Sequence, residues 1–487
     1  MEKKSAENKE ILEGVLKEFE PLTQIPRKSG HEKAVSDYLK QHLTELGCQV
    51  TQDAVNNIIA DAPATPGFEN APLTILQGHM DMVCVAEEGV AFDPLKDALK
   101  LNRTDEYLEA VGTSLGGDDG IGVAIGMYIL QHAKDHGPLR LIVTVDEEVG
   151  MTGSINLAAE HLTDAQFLIN CDSENYDEMT VGSAGSVHIN FARKLDRVEP
   201  EGKQAWSLAL KGLKGGHSGE RIGDGRGNAI RTMAFLLQGL ARQGHIELAS
   251  FTGGKAANAI PDAAKVTFVT DLPRADLQAV IEAEKHRFLA IYGGVDADLF
   301  FELSTSEEMP EHVLKDGDLK RLLNLLTLLH TGVYAMSTVV PGLVETSANL
   351  GVIEMAEESV RVQFFPRSSI DGKLDEFIFM GRELGALTGF AVEIGTKAPG
   401  WKENKNSRLA KLMADTFQEQ MGRPIKVETI HAGLECGYHI AKNPSLDMVS
   451  IGVTTVDIHS PNEKVMLATV APQVNLIEGT LQKIAKL

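Results

Sequence analysis

Apolar and polar positions repeat with one texture in the first third of this chain and another in the middle. Short, nearly unbroken apolar runs come first, "PLTIL", "LRLIVTV" and "QFLIN", predicting buried strands over 73–77, 139–145 and 166–170. Between them lie helical stretches at 31–46 ("HEKAVSDYLKQHLTEL") and at about 120–135. That alternation predicts helices packed on a mostly parallel sheet. From about residue 185 apolar and polar residues alternate in "SVHINFARKL", "WSLALKGL", "AKVTFVTDL" and "SVRVQFFPR", as in antiparallel strands with one solvated face, with helices at 228–243 and 371–387. After about 396 the first texture returns, with a helical "SRLAKLMADTFQEQMG" and a short strand "LDMVSIGV". The reading is therefore an α/β domain, 1–184 and 397–487, interrupted by an inserted α+β domain, 185–396.

A chain of 487 residues exceeds what one core usually organises, which agrees with two domains. Its 43% hydrophobic and 24% charged residues are those of a globular protein, and no apolar run is long enough to cross a bilayer. The net charge of −23 argues against nucleic acid or an anionic membrane as partner. Cys48, Cys84, Cys171 and Cys436 are widely spaced, as reduced thiols would be, and "MEKKSAENKEILEGVLKEFEPL" reads as a surface helix without a signal-peptide core. Both features predict a cytoplasmic protein.

Polar residues collect where the apolar runs stop. His79 and Asp81 follow the first, Asp146, Glu147 and Glu148 the second, Asp172 the third, and His459 of "DIHSPNE" follows "LDMVSIGV". Asp118 and Asp119 lie in the Gly-rich "GTSLGGDDGIG" just before a helix, where either could instead cap it. Ligands of open α/β sheets bind outside the carboxyl ends of the strands, so these groups would converge there. Clustered carboxylates raise one another's pKa unless cations compensate them. Imidazoles with carboxylates suit zinc, and the surplus of carboxylates suggests two ions sharing a bridging group.

"LQGHMDMV", "GTSLGGDDGIG", "DEEVG", "CDSE", "LKGGHSG" and "HSPNE", with "IPRKSGHE" near the start and "HAGLECG" near the end, resemble the di-zinc metallopeptidases related to carboxypeptidase G and aminoacylase, and within them the aminoacylhistidine (Xaa-His) dipeptidase branch. The resemblance spans essentially the whole chain. It implies a di-zinc exopeptidase domain with an inserted lid and dimerisation domain, two zinc ions (Co or Mn being possible substitutes) and a homodimer. Asp118 would bridge the ions, with His79 and Asp172 completing one coordination sphere and Glu148 and His459 the other. Asp81 would orient His79, and Glu147 would be the general base for a zinc-bridging water. The branch carries Asn after the bridging aspartate, where this chain has Asp119; register assigns the bridge to Asp118. His217 of "LKGGHSG" would stabilise the oxyanion from the lid, and Asn258, Arg367 and Gly433 match positions that contact substrate, Arg367 being suited to a free C-terminal carboxylate. Glu435, beside Gly433, is a candidate contact for a substrate amine. The implied reaction is hydrolysis of unblocked dipeptides, Xaa-His among them, with N-acyl amino acid deacylation or another exopeptidase activity of the same family, such as removal of a longer peptide's terminal residue, as the alternative and metal binding without catalysis as a third reading.

Overall fold

The computed structural model describes residues 2–338, 340 and 342–487, and the chain divides into two compact units. Met1–Gly182, Glu403–Thr429 and Leu434–Leu487 form the first; Ser183–Lys402 with Ile430–Gly433 form the second. The chain passes between the units four times, after Gly182, Lys402, Thr429 and Gly433. The return of Ile430–Gly433 to the second unit has no signature in the hydrophobic pattern. It follows from backbone pairing, since Ala184 N donates to both Ile430 O (3.2 Å) and Ala432 O (3.0 Å).

The first unit is built on an eight-stranded sheet in the order Gln49–Gln52, Ile58–Ala62, Leu139–Thr144, Thr74–His79, Phe167–Asn170, Asp447–Ser450, Glu178–Ser183 and Lys426–Ile430. The four in the middle, Leu139–Thr144 through Asp447–Ser450, run parallel, while Gln49–Gln52, Ile58–Ala62 and Glu178–Ser183 pair antiparallel at the flanks. Parallel strands are covered on both faces, which is why "TIL", "LRLIV" and "FLI" read as unbroken apolar runs. Leu76, Leu141, Ile169 and Val449 are all fully or almost fully buried. Helix Gly117–His132 is apolar around its whole circumference, with Ile121 through Ile129 buried, as expected of a helix wrapped by others. The amino-terminal helix Glu2–Thr23 is amphipathic rather than wholly superficial. It places Val15, Leu16, Phe19 and Leu22 in the core.

Aligned register brings the strand ends level. His79 lies opposite Thr144, Gln77 opposite Asn170, and Ser450 opposite Asn170. A smaller antiparallel sheet of Thr455–Val456, Lys464–Met466, Tyr107–Ala110 and Leu101–Arg103 carries the loop that contains His459.

The second unit contains a ten-stranded sheet whose main path runs Phe300–Thr305, Ala205–Lys211, Ala264–Val269, Glu247–Gly253, Val344–Met355, Ser359–Ser368, Ile189–Lys194, Ala391–Ile394. Its neighbours pair antiparallel. Alternate side chains such as Leu208, Leu210, Val266 and Phe268 are buried. They join Met233 and Leu237 of helix Ala229–Gln243, Phe288 of Arg274–Tyr292, and residues of Asp316–Leu328 and Asp371–Thr388 in one core.

Candidate metal centre

Each parallel strand delivers polar side chains just beyond its carboxyl end. His79 ends its strand and Asp81 follows; Glu147 and Glu148 open a short helix, Glu147–Gly150, after Leu139–Thr144; Asp172 lies two residues past Asn170. His459 arrives from the loop after Thr455–Val456 with a left-handed backbone (φ 58°). A non-glycine residue is held there at a conformational cost, a feature that clusters at functional sites. Asp118 enters from the first turn of Gly117–His132.

Two sets of ligand atoms result. His79, Asp118 and Asp172 form one, and Asp118, Glu148 and His459 the other, with the atoms of each set within 4.8 Å of one another. His79 Nε2 lies 3.2 Å from Asp118 Oδ1 and 3.3 Å from Asp172 Oδ1. His459 Nε2 lies 3.2 Å from Asp118 Oδ2 and 2.9 Å from Glu148 Oε2. Asp118 therefore turns one oxygen toward each set. Asp119 does not share this position, because its Oδ2 faces the backbone N–H of His79 at 3.3 Å.

Burial and mutual proximity shift the protonation of these groups. Burial pushes the Asp172 carboxyl well above its usual range despite His79, and Asp118 adds to the rise. Burial acts the same way on Asp118, but hydrogen bonds with His459 and His79 outweigh it and hold that carboxyl low. Burial disfavours a charged His79, yet Asp172 and Asp118 raise it well above an ordinary histidine. Hydrogen bonds to Asp118 and Glu148 push His459 up to about 10. The cluster thus draws protons into the positions that cations would take. Its three carboxylates and two imidazoles fit a pair of divalent ions, with a nitrogen and two carboxylates available to each.

Around these residues lies a shell of buried hydrogen bonds. Asp81 accepts from Ser29 Oγ (2.8 Å) and from the backbone N–H groups of Glu147 (3.1 Å) and Glu148 (3.3 Å). Its Oδ1 is 3.4 Å from His79 Nδ1, an electrostatic contact rather than a fully formed hydrogen bond. One aspartate therefore ties the ligand of one set to the turn that carries a ligand of the other. Glu147 is half-buried, and among the described residues its carboxylate makes no hydrogen bond or ion pair. Burial, with Asp172, Glu435 and Glu148 and against His79, raises it well above an ordinary glutamate.

Several supporting residues carry no assignment from the motifs alone. Glu463, only 2% exposed, accepts from the backbone N–H groups of Leu115 (2.8 Å), Gly116 (2.9 Å), Gly117 (2.7 Å) and Asp118 (3.2 Å). Arg27, 1% exposed, donates to the carbonyls of Met80 (3.0 Å), Asp81 (3.1 Å) and Gly116 (2.5 Å). Both lie in motifs that mark them, "HSPNE" and "IPRKSGHE", but they act on main-chain atoms that side-chain chemistry does not reveal. Gly78 is required by close approach, since a Cβ there would fall 2.1 Å from Asp119 Oδ2.

The remaining sequence candidates belong to the second unit. His217 sits in a two-stranded ribbon, opposite Ala259, and Ser218 N donates to Asn258 O (2.8 Å). Burial and then Arg367 lower the His217 pKa. Arg367 is 6% exposed and stacks over the Phe365 ring at 4.8 Å; among the described residues it has no carboxylate partner, and burial pushes it down to about 10. Asn258 and Gly433 are exposed. Glu435, expected at a substrate amine, is instead completely buried within the first unit, where Gln77, Thr144 and Ser154 donate to its oxygens. It is a structural carboxylate, with no exposed face for a substrate.

Residues 75–483 match the Peptidase family M20/M25/M40, and the chain belongs to that family. It is 35% identical over 479 residues, 96% of each chain, to the cytosol non-specific dipeptidase of Escherichia coli (strain K12). Among solved structures it is similar to the aminoacylhistidine dipeptidase of Vibrio alginolyticus, with 34% identity, TM-score 0.90 and 96% of each chain covered. An aminopeptidase PepT from Bacillus cereus ATCC 10987 shares the fold, with TM-score 0.57 and 17% identity over 97% of this chain and 99% of its own.

Proposed function

We propose that this protein is a metal-dependent dipeptidase that hydrolyses unblocked dipeptides, Xaa-His among them, with two zinc ions as the native pair and Co or Mn able to replace them. The observation that carries the reading is the Asp118 carboxylate, which offers one oxygen to each of two histidine–carboxylate sets. The relatives named above, a non-specific dipeptidase and an aminoacylhistidine dipeptidase, support the substrate class. His79, Asp118 and Asp172 would hold one ion and Asp118, Glu148 and His459 the other. Bound there, the ions would polarise the scissile carbonyl and acidify a water.

The chain's own groups do the rest. Glu147 takes the proton of the attacking water and delivers it to the departing amine nitrogen, a role that suits a carboxyl with a raised pKa and no competing partner. Asp81 keeps the His79 ring oriented while fixing the Glu147–Glu148 backbone. His217 donates to the developing oxyanion. Arg367, a buried cation without a counter-ion, pairs with the free carboxylate of the dipeptide. Asn258 and Gly433 line the substrate. The second unit serves as lid and as the contact surface of a homodimer, and the protein works in the cytoplasm.

The test is metal-stripped protein reconstituted with zinc and assayed on carnosine, other free dipeptides, N-blocked dipeptides, tripeptides and N-acyl amino acids. Cleavage confined to free dipeptides is the expected result. Preference for N-acyl amino acids would replace the proposal with deacylation, and no turnover of any of them with both ions bound would leave a metal-binding protein without catalysis.

A further inference from the structure

Glu435 poses a problem that its neighbours answer. A carboxylate with no exposed surface is costly to bury, and an apolar side chain of similar size usually serves stability better. Its hydrogen bonds, however, run to chosen places. Oε2 accepts from Gln77 Nε2 (2.5 Å) and Thr144 Oγ1 (2.9 Å), and Oε1 accepts from Ser154 Oγ, which also lies 3.2 Å from His439 Nε2. Gln77 is two residues before His79 on the same strand, so both side chains stand on one face. Thr144 ends the strand that leads into Glu147 and Glu148. Ser154 belongs to helix Thr152–Asn156, which closes that turn.

The network continues sideways. Gln77 Oε1 accepts from Asn170 Nδ2 (2.7 Å), and Asn170 Oδ1 in turn accepts from the backbone N–H of Asp172 (3.3 Å) and from Ser450 Oγ (2.5 Å). Gln77, Thr144, Asn170 and Ser450 are each at most 1% exposed; Thr144, Asn170 and Ser450 end their strands, and Gln77 stands two residues before the end of its own. A polar ladder therefore crosses the parallel sheet beneath the metal centre, and one carboxylate anchors its end.

We propose that Glu435 is a positioning residue for the metal pair: through Gln77, Thr144, Ser154 and Asn170 it fixes the mutual spacing of the segments bearing His79, Glu147, Glu148 and Asp172. The inference rests on the ligand assignment made under the proposed function. It requires that disturbing Glu435 alter the ions' affinity and coordination without touching substrate.

The experiment compares wild type, Glu435→Gln and Glu435→Asp as metal-free proteins titrated with Co(II), recording dissociation constants by chelator competition and the visible absorption of the bound ion. Metal-free folding is checked by circular dichroism. Glu435→Gln should bind Co(II) about 10- to 100-fold more weakly, the range typical of groups that orient metal ligands, with a changed visible spectrum. Glu435→Asp, which keeps the charge, should recover part of both. In the zinc enzyme kcat should fall while KM for a dipeptide stays within about twofold, since a positioning group acts on the transition state rather than on uniform binding. Should Glu435→Gln not fold, Ser154→Ala and Asn170→Ala remove one donor or link each, and must show the same shifts in smaller measure. Wild-type affinity and spectrum in every variant would overturn the proposal while leaving the ligand set intact. A wild type unable to bind two Co(II) ions would overturn both.

Discussion

Glu463→Gln tests whether the turn that carries Asp118 is held by one carboxylate. Four backbone N–H groups, those of Leu115 through Asp118, converge on its two oxygens, two on each. An amide in the same place keeps one oxygen, which can serve two of the four, and turns an NH₂ group toward the other two. Leaving two buried donors unpaired costs about 1–3 kcal/mol each, hence roughly 2–6 kcal/mol in all. The buried Arg27, whose charge burial disfavours, loses the largest of the favourable charges around it as well. Urea denaturation of the metal-free protein should register the loss as an earlier transition of the site-bearing unit. Elemental analysis should show metal missing after dialysis, because Asp118 is no longer held in register. A stability change below about 0.5 kcal/mol together with two retained ions would refute the reasoning, since it would mean that the turn keeps its shape without the acceptor.

Glu147→Gln should retain both ions and lose about 10² to 10⁴ in turnover; near-normal kcat at full occupancy would remove it as the general base. Asp118→Ala should lose most bound metal by elemental analysis, whereas Asp119→Ala should keep it, because only Asp118 faces both histidines. His439 is fully buried, and burial with the nearby Lys442 lowers its pKa to about 3. The unfolded state therefore binds the extra proton between about pH 6.5 and 3, so stability is full above about 6.5 and declines as pH falls, by up to about 1.4 kcal/mol per unit. Between pH 7 and 5, metal-free His439→Gln should lose less stability than wild type by roughly 2 kcal/mol in urea melts; parallel curves would contradict this.

Much of the first unit was legible because its central strands are buried on both faces. "PLTIL" predicts 73–77 and the strand is Thr74–His79; "LRLIVTV" predicts 139–145 and the strand is Leu139–Thr144. Ligand candidates stood out for the same reason, as polar residues placed directly after apolar runs. The hairpin strands Gln49–Gln52 and Ile58–Ala62 lacked that contrast, the first being "QVTQ", only half-buried at alternate positions. Leu467–Ile484 is a buried helix despite Pro472 within it, a residue that argues against helix in a sequence. The buried stripe of Arg274–Tyr292, Leu277, Ile281 and Phe288, is broken by Glu284, whereas Asp316–Leu328 was not read as a helix even though Leu319, Leu322, Leu323, Leu325 and Leu326 stand at helical spacing. Glu463 and Arg27 were invisible as functional groups because they hold main chain, and Glu435 was misread because its closeness in sequence to Gly433 suggested a shared role, while its own environment depends on Gln77, more than three hundred positions away.

The placement of Asp447–Ser450 beside Phe167–Asn170 in the middle of the sheet bears on how the chain is made. At roughly 5–20 residues per second a ribosome needs about 15 to 55 s to travel between these two strands. For that time the Phe167–Asn170 edge, apolar and fully paired in the finished protein, has an unoccupied row of backbone donors and acceptors. Meanwhile the second unit, whose sheet is formed within Ser183–Lys402, is free to fold as it emerges. Nascent or stalled chains that stop short of residue 447 should therefore present a sticky open edge next to an already ordered insert, a form suited to capture by chaperones and prone to aggregation.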